Sequence, residues 1–217
     1  MKRLFDLIIS GIALIVLSPV MIIIALIIKL QNQGSVIFKQ KRVGRDNKNF
    51  TIYKFRSMWE NAPEVASNDL KNPEEHITPI GKILRKTSLD ELPQLLNILK
   101  GDMSLVGPRP VINDSSEKEL LSKRTELGIC KLMPGLTGWA QVNGRDDMST
   151  ERKIELEAEY LKNKSFILDL KILWLTFFKV FRQEGVIEGA ADNIVKEEAA
   201  VSSTNFTKSE DDIKHVI

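Results

Sequence analysis

Two acids in succession, Asp90-Glu91, lie within Thr87-Ser88-Leu89-Asp90-Glu91-Leu92-Pro93-Gln94. They can do one of two things. As structure, Ser88 followed three residues later by Glu91 fits a capping box. Asp90 as the N-cap would instead put Pro93 in the first helical turn, where its missing N–H costs least. As chemistry, a helix N-terminus stabilises anions through its free N–H groups and macrodipole. An acid there stays ionised and can attack phosphorus or hold Mg2+. Attack by a carboxylate on a phosphate needs their repulsion neutralised, so this reading requires cations close by.

The sequence supplies them in tight settings. Tyr53-Lys54-Phe55-Arg56 alternates, which puts Lys54 and Arg56 on one face of a strand. Arg109 is held between Pro108 and Pro110, which lowers the entropy lost on clamping an anion. Arg145 follows an Asn143-Gly144 turn. Each alone reads as a solvated surface charge. Taken with the acid pair and the apolar segment below, they point to a phosphate-transfer site on a membrane. His76 and His215 are far apart and Cys130 is the single cysteine, which argues against a His/Cys zinc site. A metal would sit on carboxylates.

The elements that must position these groups follow from the hydrophobic pattern. Leu7 to Ile28 carries no charge, and at about 1.5 Å per residue it matches a bilayer core of roughly 30 Å. Ser18-Pro19 falls mid-run, where proline removes a backbone hydrogen bond and bends a helix. Lys2 and Arg3 precede the run, and Lys29, Lys39, Lys41 and Arg42 follow it, drawing both ends toward the cytoplasmic side. A helix that enters, kinks and returns satisfies both features, whereas a straight span satisfies one. Short strands are expected at Val36-Ile37-Phe38 and Phe50-Thr51-Ile52-Tyr53, around the turn Gly44-Arg45-Asp46-Asn47. A basic helix is expected over Ile80 to Lys86. A leucine helix through Leu89, Leu92, Leu95, Leu96 and Leu99 should stop at Gly101. Further helices are expected from near Asp114 and over Thr150 to Lys162, with a rigid turn at Pro134 to Gly138. In Phe166 to Gln183 a broad aromatic face lies opposite Lys171, Lys179 and Arg182, which suits an interfacial helix and equally a core helix. The polar stretch beyond Gly189 reads as a disordered tail.

The whole is an α/β, mostly helical chain of 217 residues: a membrane helix over 1–31, a domain over 32–188 and a tail over 189–217. Hydrophobic residues at 43% and charged residues at 28% exclude general disorder and a multi-span membrane protein. The net charge of +2 excludes a nucleic-acid binder that works through bulk charge, and one cysteine suits a reducing compartment.

Five blocks in order resemble the bacterial sugar transferase family, the small monotopic phosphoglycosyl transferases. They are Lys2 to Asp6, Tyr53 to Met58, Ser88 to Leu95, Leu99 to Pro110 and Pro134 to Arg145. The resemblance implies transfer of a sugar-1-phosphate from a UDP-sugar to undecaprenyl phosphate, with UMP released at the cytoplasmic face of the bacterial inner membrane. This begins capsule, O-antigen, exopolysaccharide or glycoprotein glycan synthesis. It implies Asp90 as the nucleophile of a covalent phosphosugar intermediate, Glu91 as a base toward the lipid phosphate, and Mg2+ on both acids. Arg56 and Arg109 would bind phosphate, Lys54 and Arg145 fall within the same motifs, and Ser18-Pro19 matches the family's re-entrant kink. The donor sugar is expected to be N-acetylated amino or deoxyamino, and a homodimer is allowed. Asp146-Asp147-Met148-Ser149 and the Asn61 to Glu75 loop depart from the family pattern, which bears on sugar choice. Two rivals remain at this level: a Mg2+-dependent membrane phosphohydrolase, and a non-catalytic membrane adaptor whose acids only cap a helix.

Overall fold

The computed structural model describes residues 1–31, 34–62, 73–114, 117–144 and 148–182. Arg145, Asp146 and Asp147, most of the Asn61 to Glu75 loop and the expected tail lie outside the described residues. Helix α1 runs unbroken over Lys2–Gln31 with Pro19 inside it. Proline has no N–H to give the carbonyl four residues back, Ile15 O. The Ser18 hydroxyl donates to that carbonyl at 2.7 Å, so the Ser-Pro pair repairs within itself the bond it breaks. One face of α1 is bare: Ile12, Ile15, Val16, Ile22, Ile23 and Leu26 are all more than half exposed.

The opposite face packs on the rest of the chain along its whole length. Phe5, Ala13 and Leu14 join the main core, built on Ile52, Leu95, Ile98, Met103, Leu105 and Ile172. Ile24 and Ile28 join Phe55 and Leu84 in a second cluster. Polar ties hold both ends. Lys2 Nζ is 2.6 Å from Asp169 Oδ2, and Gln31 Oε1 accepts from the Ile80 N–H at 3.4 Å.

Strands β1 (Ile37–Val43) and β2 (Asn49–Phe55) pair antiparallel, with Lys39 opposite Tyr53. Their connection places Asp46 and Asn47 at φ 54° and 58°, a left-handed region that these short polar residues tolerate. The single turn α2 (Pro73–His76) precedes α3 (Pro79–Lys86), whose Thr78 cap accepts from Gly81 N. Then come α4 (Gln94–Lys100), ended by Gly101 at φ 96°, and β3 (Ser104–Val106). Helix α5 (Lys118–Glu126) and β4 (Gly135–Thr137) follow, and β4 pairs parallel with β3. Helices α6 (Trp139–Asn143), α7 (Thr150–Asn163) and α8 (Phe166–Arg182) close the described chain.

Three expectations are corrected. The leucine helix does not start at Leu89: a 3-10 turn occupies Leu89–Glu91 and the α-helix begins only after Pro93. Pro134 to Gly138 is more than a turn, because Gly135–Thr137 pairs with β3 and Leu136 packs against the main core. The helix expected near Asp114 begins at Lys118. Helix α8 packs one face into the core and leaves an apolar face exposed. Ile172 is fully buried, while Ile167, Trp174 and Phe177 are 79%, 61% and 57% exposed. Its lysines make contacts to α6 and the residue that follows it. Lys179 Nζ reaches the carbonyls of Gln141 and Gly144, and Lys171 sits 5.6 Å from the Trp139 ring centre.

Candidate active site

Asp90 and Glu91 are presented by a reversal of the chain rather than by a capped helix. After α3 the backbone turns at Ser88, which holds φ 55° and makes no side-chain cap bond, so the expected capping box is absent. A non-glycine residue in this region costs on the order of 1 kcal/mol or more, a strain often stored at functional sites. The turn closes through Glu91 N–H to Ser88 O at 3.2 Å and Leu92 N–H to Leu89 O at 3.3 Å. Leu89 and Leu92 bracket the acids and pack against the cluster of Ile24, Ile28, Phe55 and Leu84. The acid pair therefore rides on the second half of the apolar helix.

Asp90 is 7% exposed. Glu91 lies between two cations from distant segments. Its Oε1 accepts from Lys54 Nζ at 2.8 Å and lies 3.4 Å from Arg109 Nη2. Burial pushes the Glu91 carboxyl up, but Lys54, Arg109 and the hydrogen bonds from Lys54 and Gln94 outweigh it and hold the group down at about 2. Glu91 is therefore an anion throughout the working pH range.

Lys54 and Arg109 thus meet at Glu91. Arg56 does not join them: its Nη1 pairs with Glu60 Oε1 at 3.4 Å, and its Nε is buried without a hydrogen-bond partner. Arg145 lies outside the described residues. Side chains that sequence reasoning passed over complete the setting. Asn97, fully buried, accepts from Tyr53 N–H at 3.1 Å and donates to Thr51 O at 2.7 Å, fastening α4 to β2 on either side of Ile52. That fixes the register of Lys54 against Glu91. Its only sequence signal is a polar residue inside a leucine-rich helix. Arg85, at the last turn of α3, donates from Nε to Ser57 Oγ at 3.2 Å, beside Arg56. Its signal was a basic residue just ahead of the Ser88 reversal.

Among the described residues no three His, Cys, Asp or Glu side chains cluster as a metal cage. Mg2+ often takes only one or two carboxylates and completes its shell with water and substrate phosphates, so the Asp90-Glu91 pair fits that mode. Two carboxylates flanked by a lysine and an arginine can bind, orient and attack a phosphate.

A family model described as bacterial sugar transferase matches residues 1–183. The chain belongs to the bacterial sugar transferase family. Similar members include the uncharacterized sugar transferase EpsL of Bacillus subtilis (strain 168), 45% identical over 190 residues covering 86% of this chain and 90% of that one. The exopolysaccharide production protein ExoY of Sinorhizobium fredii (strain NBRC 101917 / NGR234) is 38% identical over 199 residues, 85% and 87% of the two chains. The UDP-glucose:undecaprenyl-phosphate glucose-1-phosphate transferase of Escherichia coli (strain K12) is 42% identical over 190 residues, covering 83% of this chain and 40% of that longer one. As a family member the chain is a sugar transferase, and the acids, lysine and arginine above all lie within the matched span.

Proposed function

We propose that this chain moves a sugar-1-phosphate from a UDP-sugar to undecaprenyl phosphate, with Asp90 as the attacking group. The observation that carries this reading is the acid pair of the Leu89–Glu91 turn, with Glu91 clamped by Lys54 and Arg109, seated on the apolar helix α1. In the first step an Asp90 carboxylate oxygen bonds to the phosphorus that bears the sugar. The bond from that phosphorus to the bridging oxygen breaks, and UMP leaves with its electron pair. In the second step an oxygen of undecaprenyl phosphate attacks the same phosphorus, frees Asp90 and yields the lipid diphosphosugar.

Arg109 and Lys54 neutralise the incoming diphosphate. When Arg109 turns to the phosphate, Glu91 loses one of the two charges that depress it and becomes a better proton acceptor for the lipid phosphate. The low exposure of Asp90 keeps water from the covalent intermediate. Mg2+ bound by Asp90 and Glu91 would add positive charge against the phosphate oxygens. The relatives' names include glucose, galactose and N-acetylgalactosamine transfer, so UDP-glucose, UDP-galactose and UDP-N-acetylgalactosamine are the donors to test first. The product would feed polysaccharide assembly.

Helix α1 is read as re-entrant. Both of its ends are tied to one domain, through Lys2–Asp169 and Gln31–Ile80, while its free face is apolar. The exposed aromatic face of α8 would lie in the same interface, with the domain at the cytoplasmic side of the inner membrane. In an assay of UMP release with undecaprenyl phosphate, Asp90→Asn abolishes turnover and keeps both the fold and membrane binding. Full UMP release by that variant ends the nucleophile assignment.

A further inference from the structure

The loop that carries Arg109 is poor in amide hydrogens, because Pro108 and Pro110 have none, and its carbonyls must be met from outside. Four successive carbonyls are met one by one. Gly135 N–H donates to Pro108 O at 2.9 Å, and Val43 N–H donates to Val111 O at 2.9 Å. Between them, Arg124 Nη2 donates to Arg109 O at 3.1 Å, and Arg42 Nη1 makes a long 3.5 Å contact with Pro110 O.

Arg124 is tightly fixed. From α5 it grips Glu157 of α7 with two bonds, Nε to Oε2 at 2.7 Å and Nη2 to Oε1, and the two side chains are 9% and 5% exposed. A buried ion pair of this kind adds little net stability over an apolar pair of the same volume, so stability alone does not account for it. What it does that an apolar pair cannot is hold a charged donor against the backbone of Arg109, whose guanidinium pairs with Glu91. Nη2 serves both Glu157 and the Arg109 carbonyl, so the carboxylate aims the donor.

We propose that Arg124, locked by Glu157, is a positioning residue that sets the Arg109 backbone so that its guanidinium is presented to the donor's diphosphate. This rests on the reading of Arg109 as a phosphate ligand. The test measures UDP binding by calorimetry on the full chain in nanodiscs. Single removal of either partner could unfold the protein, so the pair is replaced together as Arg124→Met with Glu157→Leu, with thermal unfolding as the fold control.

The expected result is a wild-type-like unfolding temperature, about tenfold weaker UDP binding, and a donor KM that rises in proportion. In an Arg109→Ala background the same double replacement changes UDP affinity by less than about twofold, because the device has lost what it positions. Unchanged affinity in the folded double variant overturns the inference, and so does a loss that adds fully to that of Arg109→Ala. If Arg109→Ala alone leaves UDP binding intact, the reading of Arg109 fails, and the inference falls with it.

Discussion

At Glu91 two opposing effects meet, and their balance sets both chemistry and stability. Burial favours the neutral acid, while Lys54 and Arg109 favour the anion and prevail, holding the group at about 2 against an ordinary 4.5. A carboxyl with a depressed folded pKa stabilises the fold above its unfolded value, and that contribution is lost as pH falls through the folded one. The wild type should therefore be more stable than Glu91→Gln above pH 4.5, with the gap closing between 4.5 and about 2. Denaturant titrations of both proteins across that range check the sign. A gap that widens on acidification would contradict the ion-pair geometry. Asp90, the proposed attacking group, is buried on the strained turn, whereas Glu91 is held between two cations.

At the scale of elements, two devices hold the cations to the acids. The first is Asn97, which bonds the β2 backbone at Tyr53 and Thr51. Asn97→Leu leaves a buried N–H and a buried carbonyl without these bonds, at about 1–3 kcal/mol for each such group, and loosens the Lys54–Glu91 pair. Both effects should appear together, as lower stability in denaturant and slower UMP release. The second is the close approach beneath the Arg109 loop, where a Cβ at Gly107 would fall 2.1 Å from Met133 O and 2.9 Å from Gly135 N. Those are backbone atoms of the segment that pairs with β3, and they cannot swing aside. Gly107→Ala should cost about 1–3 kcal/mol in a denaturant titration and displace Arg109. Alanine tolerated there with full activity would mean the loop relaxes freely.

For the whole molecule, the governing feature is a helix of 30 residues with only 11% of its most apolar window buried, yet tied to the domain at both ends. A bilayer can cover the bare face only if it reaches that face without separating the two ends. Single cysteines at Leu4 and Leu30, both exposed positions, introduced into a Cys130→Ala background, should react with an impermeant maleimide only once the cytoplasmic side is opened. Labelling of one of them from the outside would make α1 a span. The same arrangement ties the acid pair to α1, because Leu89 and Leu92 pack against Ile24 and Ile28; under the proposed function, this sets Asp90 at the depth where a lipid phosphate would meet it.

The family and the candidate residues were legible in the chain because they depend on residue type and local spacing. Asp90-Glu91 between leucines, Arg109 between prolines and an uncharged run containing Ser18-Pro19 can each be picked out by type and spacing, although α1 runs unbroken through Pro19 and Ser88 forms no capping box. The strands around Gly44 to Asn47 and the helices at 79–86, 150–163 and 166–182 follow from periodicity in the same way. Hydrogen bonding and packing between distant segments decided the rest. Leucine spacing continues the α4 pattern back to Leu89, but the left-handed Ser88 turns those residues into a 3-10 loop that offers the acids sideways. Three-residue strands such as Gly135–Thr137 have too few positions to show a period. That Lys54 and Arg109 reach Glu91, and that Arg124 bonds the backbone of Arg109, depends on contacts 15 to 37 residues apart in sequence. No local pattern encodes such contacts, because their free energy arises only when the segments are brought together.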